Sequence, residues 1–189
     1  MARRAANKDK WKAKTWFEIT SPKDFSEKII GETPASEANN VIGRTIKVIA
    51  SEVASGPRLN QVKLLFEIES VSGKIAQTKL AGYEMARSLI RSIVRRKRTK
   101  IELIKDYTTA DNQKIRIKIV AMTVGNCYSS HEKDIRKNME ATLDTLVEGK
   151  KTVELIKEIL AHTVQNTLKA NARKIFPVAI LEIRKVDFV

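Results

Sequence analysis

The sequence predicts an α+β domain: an antiparallel sheet with one basic helix and a C-terminal helical pair. Three observations carry that prediction. Period-two alternation fills the middle of the chain, most plainly in "VKLLFEIE" and "QKIRIKIV". Apolar residues at helical spacing follow, first Ile135, Met139, Leu143 and Leu146, then Val153, Ile156, Leu160, Val164 and Leu168. Strand character then returns in "VAILEIRKVDF" at the end of the chain.

At 189 residues, 42% hydrophobic and 31% charged, the chain suits one globular domain able to bury a proper core. Aromatic residues make up only 5%, so that core is expected to be mostly Ile, Val, Leu and Ala. Residues 1 to 14 carry Arg3, Arg4, Lys8, Lys10, Lys12 and Lys14 against the lone acid Asp9, with no apolar periodicity to anchor them. They are expected to form a mobile basic arm, leaving 15 to 189 as a single α+β domain.

The elements follow in order. "TWFEITSPKDF" groups Trp16, Phe17, Ile19 and Phe25 around Pro22, which predicts a short strand and a turn. "GETPASEANN" is polar and turn-rich and reads as a loop. "RTIKVIA" and "VKLLFEIE" alternate as half-buried strands, and a "SG" turn leads into a weaker strand, "KIAQTKLAGY". Ala86, Leu89, Ile90, Ile93 and Val94 then recur at i, i+3, i+4 and i+7, predicting a helix over 84–97 with one buried stripe. "KIELIKDYT" and "QKIRIKIVAMTV" form a strand pair around "TADN". Ser129 and Glu132 have capping-box spacing at the start of the first C-terminal helix, which stops near Gly149. The second is expected to run to about Ala172, and the strand after Pro177 to close or edge the sheet.

Charge points to function. A net charge of +14 means that the folded chain repels itself until a polyanion supplies counter-charge, with nucleic acid the leading candidate. "IRSIVRRKRTK" concentrates that charge. Arg87, Arg91 and Arg95 recur every four residues, and Arg96, Lys97, Arg98 and Lys100 extend the row with no acid between 85 and 101. Crowding like charges on one helix costs a few tenths of a kcal/mol per pair, so structural convenience does not account for it. Arginine is the side chain that grips phosphate oxygens in two places. Trp11, inside the basic arm, suits either stacking on an unpaired base or folding back on the body. Lys114, Arg116 and Lys118 either widen the footprint or simply face solvent from a half-exposed strand.

Catalytic and membrane readings fail on composition and spacing. Cys127, His131 and Glu132 lie close in sequence, but the capping box accounts for Glu132, and Cys127 reads as packing. His162 has no nearby Cys or second His to complete a metal site. "GKKT" lacks the upstream glycine of a phosphate loop, since position 144 is Asp. No enzyme, cofactor or metal is therefore expected. No stretch approaches the roughly 20 apolar residues of a spanning helix, and the N-terminus has no secretory pattern. The single Cys127 fits a reducing compartment.

The order of segments carries a resemblance. A basic arm, "WFEITSPKDF", "IGRT", "LAGYEMARSLIRSIVRRKRTKIELI", "IRKNMEATLDTL" and "IFPVAILEIRKVDF" together resemble the archaeal and eukaryotic small-subunit ribosomal protein family S-three-A-e, also called e-S-one. The likeness runs from about Lys10 to Phe188, in the shorter archaeal form. It implies a β-barrel-like core with attached helices, cytoplasmic and within the ribosome, bound to small-subunit ribosomal RNA on the platform near the messenger RNA exit. By resemblance, Arg87, Arg91 and the Arg95 to Arg98 cluster face RNA and the N-terminal arm threads along it. Neighbouring platform proteins, the universal S-eleven among them, and messenger RNA near the exit are the further partners implied. The alternative is a free-standing RNA-binding factor in RNA processing or translational control, which uses the same charges away from the ribosome.

Overall fold

The computed structural model describes residues 11, 14–54, 56 and 58–188. In chain order the elements are β1 (Thr15–Thr20), β2 (Ile29–Ala35), β3 (Thr45–Ile49), α1 (Ala50–Val53), β4 (Val62–Ser72), β5 (Ile75–Met85), α2 (Arg87–Ile93) and β6 (Lys100–Thr108). There follow β7 (Lys114–Thr123), α3 (Ser129–Val147), α4 (Thr152–Leu160), α5 (Thr163–Arg173) and β8 (Val178–Phe188). The class is α+β, as the alternation and the helical stripes predict. The eight strands form one open sheet, so its curl does not complete a barrel.

β5 organises that sheet. β4 occupies one of its edges along almost its whole length, from Ile75↔Ser72 to Met85↔Val62. The other edge is shared: β1 pairs with Ile75–Gln77 in parallel, and β8 pairs antiparallel with only Gly82, Tyr83 and Glu84. The remaining ladders, β1·β2, β3·β4, β6·β7 and β7·β8, are all antiparallel. β8 therefore lies inside the sheet, between β5 and β7, and neither closes nor edges it. Its continuous burial at Leu181, Glu182 and Ile183 reflects that central place.

Gly82 makes the junction possible. A Cβ built there would lie 2.8 Å from the Val186 carbonyl oxygen, closer than real Cβ contacts come. Gly82→Ala is expected to push β8 off β5 at a cost of about 1–3 kcal/mol, read as a fall of several degrees in Tm. An unchanged Tm would mean that the two strands yield freely.

Other expectations are corrected. "GETPASEANN" contains the end of β2, an edge strand on β1 that tolerates Pro34 because an edge position loses no ladder partner. The basic helix spans only Arg87–Ile93: Val94 is already extended and Lys97 is left-handed at φ 58°. Of its predicted stripe only Ile93 is buried, Leu89 and Ile90 are half-buried, and Val94 is exposed. Continuing the helix would stack four more cations without relief, and the chain must instead reverse to enter β6. The capping box does not form, since Tyr128 holds the N-cap position of α3 without a side-chain bond. Nor is the second C-terminal helix continuous: His162, left-handed at φ 60°, separates α4 from α5.

Ile135, Met139, Leu143 and Val147 on α3 and Leu155, Ile156, Ile159, Val164 and Leu168 on α4 and α5 bury against Ile101, Leu103, Ile117 and Ile119 of the sheet. Phe17, Ile19, Ala35, Val41, Ile68 and Ala76 make a smaller cluster beneath β1 and β2. One sheet face is thus committed to apolar packing, which frees the other for charge.

Candidate nucleic-acid interface

The basic segment is a short helix followed by a tight turn, and the turn is tethered. The Thr99 amide donates to Thr123 Oγ1 at 2.9 Å, the Thr123 amide donates to the Thr99 carbonyl at 3.1 Å, and the Cys127 amide donates to Thr99 Oγ1 at 3.0 Å. Thr123 is fully buried, so the tether is shielded from water. Residues 94–98 project from this anchor as a loop of cations.

Arg87, Arg91, Arg95, Arg96, Lys97, Arg98 and Lys100 are all exposed. Among the described residues, none of the first six forms an ion pair, whereas Lys100 meets Glu102 at 3.1 Å. Arg87 and Arg91 share the helix, but Arg95 has left it, so the predicted row of three guanidinium groups becomes two on the helix and one on the turn.

The β7 cations behave differently. Arg116 grips Asp106 through Nε and Nη2 at 2.7 and 2.8 Å, and Lys118 reaches Asp187 at 2.9 Å. The Arg116 hydrogen bonds hold the Asp106 carboxyl below its usual range. Both cations are already neutralised within the sheet, so a phosphate would have to displace an acid. Lys114 is exposed at the strand's start. Unspent charge therefore sits mainly on α2 and its turn, with Lys114 the one β7 cation that has no ion pair among the described residues.

Sequence reasoning missed two cations. Arg184 and Lys185 line a groove of about 330 Å³ with Arg87, Lys118, Ile90 and Ile104, between α2 and the outer face of the sheet. Lys185 stands directly opposite Lys118, and Arg184 falls where the β7·β8 register shifts. Like charges facing one another are unfavourable, and Asp187 relieves them by accepting from both, at 2.6 Å from Lys185. Burial alone would raise the Asp187 carboxyl, but its hydrogen bonds from Lys185 and Lys118 outweigh burial and hold it low. Adjacent cations between the apolar residues Ile183 and Val186 were the available signal.

The N-terminal arm enters elsewhere. Arg3, Arg4, Lys8, Lys10 and Lys12 lie outside the described residues, but Trp11 and Lys14 do not. Trp11 is 61% exposed, meets the 54%-exposed Trp16 edge to face at 6.5 Å, and carries the Lys14 ammonium 4.6 Å above its ring. Of the two readings the sequence left open, Trp11 thus takes the second, resting on the body against Trp16 while staying largely exposed. β1 joins β5 at Ile75 and α2 leaves β5 after Met85, so the two basic regions attach about 30 Å apart along one strand.

The catalytic alternative loses its chemistry. Burial first, then the Glu132 carboxylate, push the Cys127 thiol up, the reverse of what a nucleophile needs. His131 is instead stacked on Phe176 at 5.9 Å. No group of His, Cys, Asp and Glu able to hold a metal occurs among the described residues, and no described helix is long and apolar enough to cross a membrane.

Comparison with known proteins agrees with the order of segments. The model of the Ribosomal S3Ae family matches residues 2–189. Proteins named small ribosomal subunit protein eS1 are similar along the chain. That of Desulfurococcus amylolyticus is 37% identical over 98% of this chain and 87% of its own length. The Sulfurisphaera tokodaii protein is 36% identical over 100% of this chain and 98% of its own, and that of Archaeoglobus fulgidus 36% over 99% and 90%.

Proposed function

From the premise that the chain belongs to the Ribosomal S3Ae family, a family of ribosomal structural proteins and not of enzymes, we propose that it is a structural constituent of the small ribosomal subunit. It works in the cytoplasm within the ribosome, held by phosphate contacts to ribosomal RNA. The observation that carries the RNA contact is the contrast in pairing: exposed cations on α2 and its turn with no ionic partner among the described residues, beside neutralised ones on β7. Arg87, Arg91, Arg95, Arg96, Lys97 and Arg98 make the principal contact; Lys100 and Arg184, 3.1 and 3.8 Å from Glu102, and Lys185, 2.6 Å from Asp187, border it as paired cations that a phosphate would have to draw from their acids. Trp11 and Lys14, with Arg3, Arg4, Lys8, Lys10 and Lys12 of the basic arm, make a second.

Recognition in this reading rests on backbone geometry more than on base edges, because the cations stand on a rigid sheet and a tethered turn. Binding sites about 30 Å apart suit a protein that spans converging RNA strands rather than one that follows a single groove. The platform near the messenger RNA exit is the position this reading adopts, with platform proteins and messenger RNA as neighbours there.

Sedimentation tests it. In a native lysate the protein is expected to comigrate with the small subunit at low salt and to leave it as salt rises. With six to ten phosphate contacts, affinity falls by about 10³ to 10⁵ between 50 and 200 mM salt. A protein confined to the top of the low-salt gradient would overturn the ribosomal reading in favour of a free-standing RNA-binding factor.

A further inference from the structure

A cleft of about 720 Å³ opens where β8 parts from β5, a volume typical of small-molecule sites. β8 pairs with β5 only through Val186 and its two neighbours, so Ala179–Glu182 have β7 on one side and the cleft on the other. Its walls are Leu89 and Ile93 of α2 and, opposite, the start of α5.

The floor is polar and buried. Glu182 is 7% and Gln165 2% exposed. Arg58 Nη1 lies 3.4 Å from Glu182 Oε1 and His162 Nδ1 lies 3.7 Å from Oε2, both long for a strong hydrogen bond. Glu182 Oε2 and Gln165 Oε1 have no hydrogen-bond partner among the described residues. Such atoms are costly to leave unpaired. Arg58 and His162 are also two of the few non-glycine residues in left-handed backbone, at φ 58° and 60°, and both converge on this one carboxylate. Strain of that kind persists where the surroundings impose it and gathers at ligand sites.

Ligand class follows from the chemistry of the floor. Burial raises the Glu182 carboxyl above its usual range against the opposing charges of His162, Arg58 and Lys169. As a carboxylate it is an acceptor, like the Gln165 amide oxygen, so the complementary group offers donors side by side. Guanine alone among the four RNA bases presents two adjacent donors, N1–H and N2–H, on its Watson–Crick edge. Adenine and cytosine each place an acceptor against the carboxylate, and uracil flanks its single donor with carbonyls. The apolar α2 wall, Leu89 and Ile93, suits one face of a base and the polar α5 wall, with the His162 ring, the other, while Arg58, 67% exposed, and Lys169 at the rim suit its phosphate.

We infer that this cleft takes one unpaired guanine of the bound RNA, its donor edge on Glu182 and Gln165 and its phosphate on Arg58 and Lys169. Arg58 swings from the carboxylate to the phosphate as the base enters. The inference rests on the RNA-binding reading and deepens it, adding one base-reading contact to a phosphate-gripping surface. Leu89, Ser92 and Ile93 line the cleft from the same helix that bears Arg91, so both contacts fall on one stretch of RNA.

Small-subunit ribosomal RNA, free and bound to the full chain, is treated with a glyoxal reagent that adds across N1 and N2 of unpaired guanines. One guanine is expected to react about tenfold more slowly in the complex. Its reactivity returns with Glu182→Gln and with Ser92→Trp, which fills the cleft from its exposed rim without touching the floor. Each change weakens total binding about tenfold or less, because phosphate contacts carry most of the affinity. Ser92→Trp keeps the test decisive if the Glu182 variant fails to fold. RNA that binds with no protected guanine, or with protection that survives both substitutions, overturns the guanine site alone. Wild-type protein that binds no RNA overturns the broader reading with it.

Discussion

Replacing Arg91, Arg95 and Arg98 together by Gln is expected to weaken RNA binding by about 10²- to 10³-fold at moderate salt, with the Tm unchanged. All three side chains are exposed, and none has an ionic partner among the described residues, so their removal costs the fold nothing. At these water-exposed positions each lost contact to phosphate is worth about 1–1.5 kcal/mol, less than a charge-assisted bond shielded from solvent, and three together span that range. The slope of log affinity against log salt should flatten by about one per lost contact. The same triple change made at Lys105, Arg116 and Lys118, which pair with Asp144, Asp106 and Asp187, should alter binding far less. Equal losses from both sets would mean that net charge alone governs binding and that the α2 turn has no special place.

Phe66→Ala should do the opposite. Phe66 is fully buried at the middle of β4 and meets Phe25 edge to face at 5.8 Å. It pairs with Ile46 on one side and Leu80 on the other, so the cavity left behind lies where three strands and the Pro22–Phe25 turn meet. A truncation of this kind costs about 3–5 kcal/mol. For a chain of this size that is a fall in Tm of roughly 6–20 °C. RNA affinity per folded molecule should hold, because the cations stand on α2 and its turn. Reduced affinity in the fully folded fraction would show that the β4 core also sets the position of the basic turn.

Together the two experiments separate scaffold from surface, and that division was partly visible in the residues themselves. Alternation in β4, β6 and the first half of β7 was legible because one face is mostly apolar and buried and the other wetter. The stripe on α3 was legible for the same reason. β2 was not: its six register pairs with β1 are a backbone ladder, and Gly31, Glu32 and Pro34, all disfavoured in strands, dilute the signal of Thr33. The break at His162 was equally hidden, with no Gly or Pro to mark it. At the break the Ile159 carbonyl accepts from both the His162 amide at 3.1 Å and the Gln165 side-chain amide at 2.9 Å, which closes the end of α4 without a Gly.

By itself, the sequence determined the α+β class, the apolar faces, the excess of positive charge and the block in which that charge is concentrated, because each depends on residue type and local spacing. The family resemblance came from the same source. Only the tertiary structure decided which cations are free. Arg116 and Lys118 read from sequence much like Arg91 and Arg98, and pairing across strands with Asp106 and Asp187 sets them apart. It also brought Arg58, His162, Gln165 and Glu182 to one cleft from positions up to 124 residues apart. Long-range pairing depends on register and on the sharing of the β5 edge, and neither leaves a periodic trace in the chain.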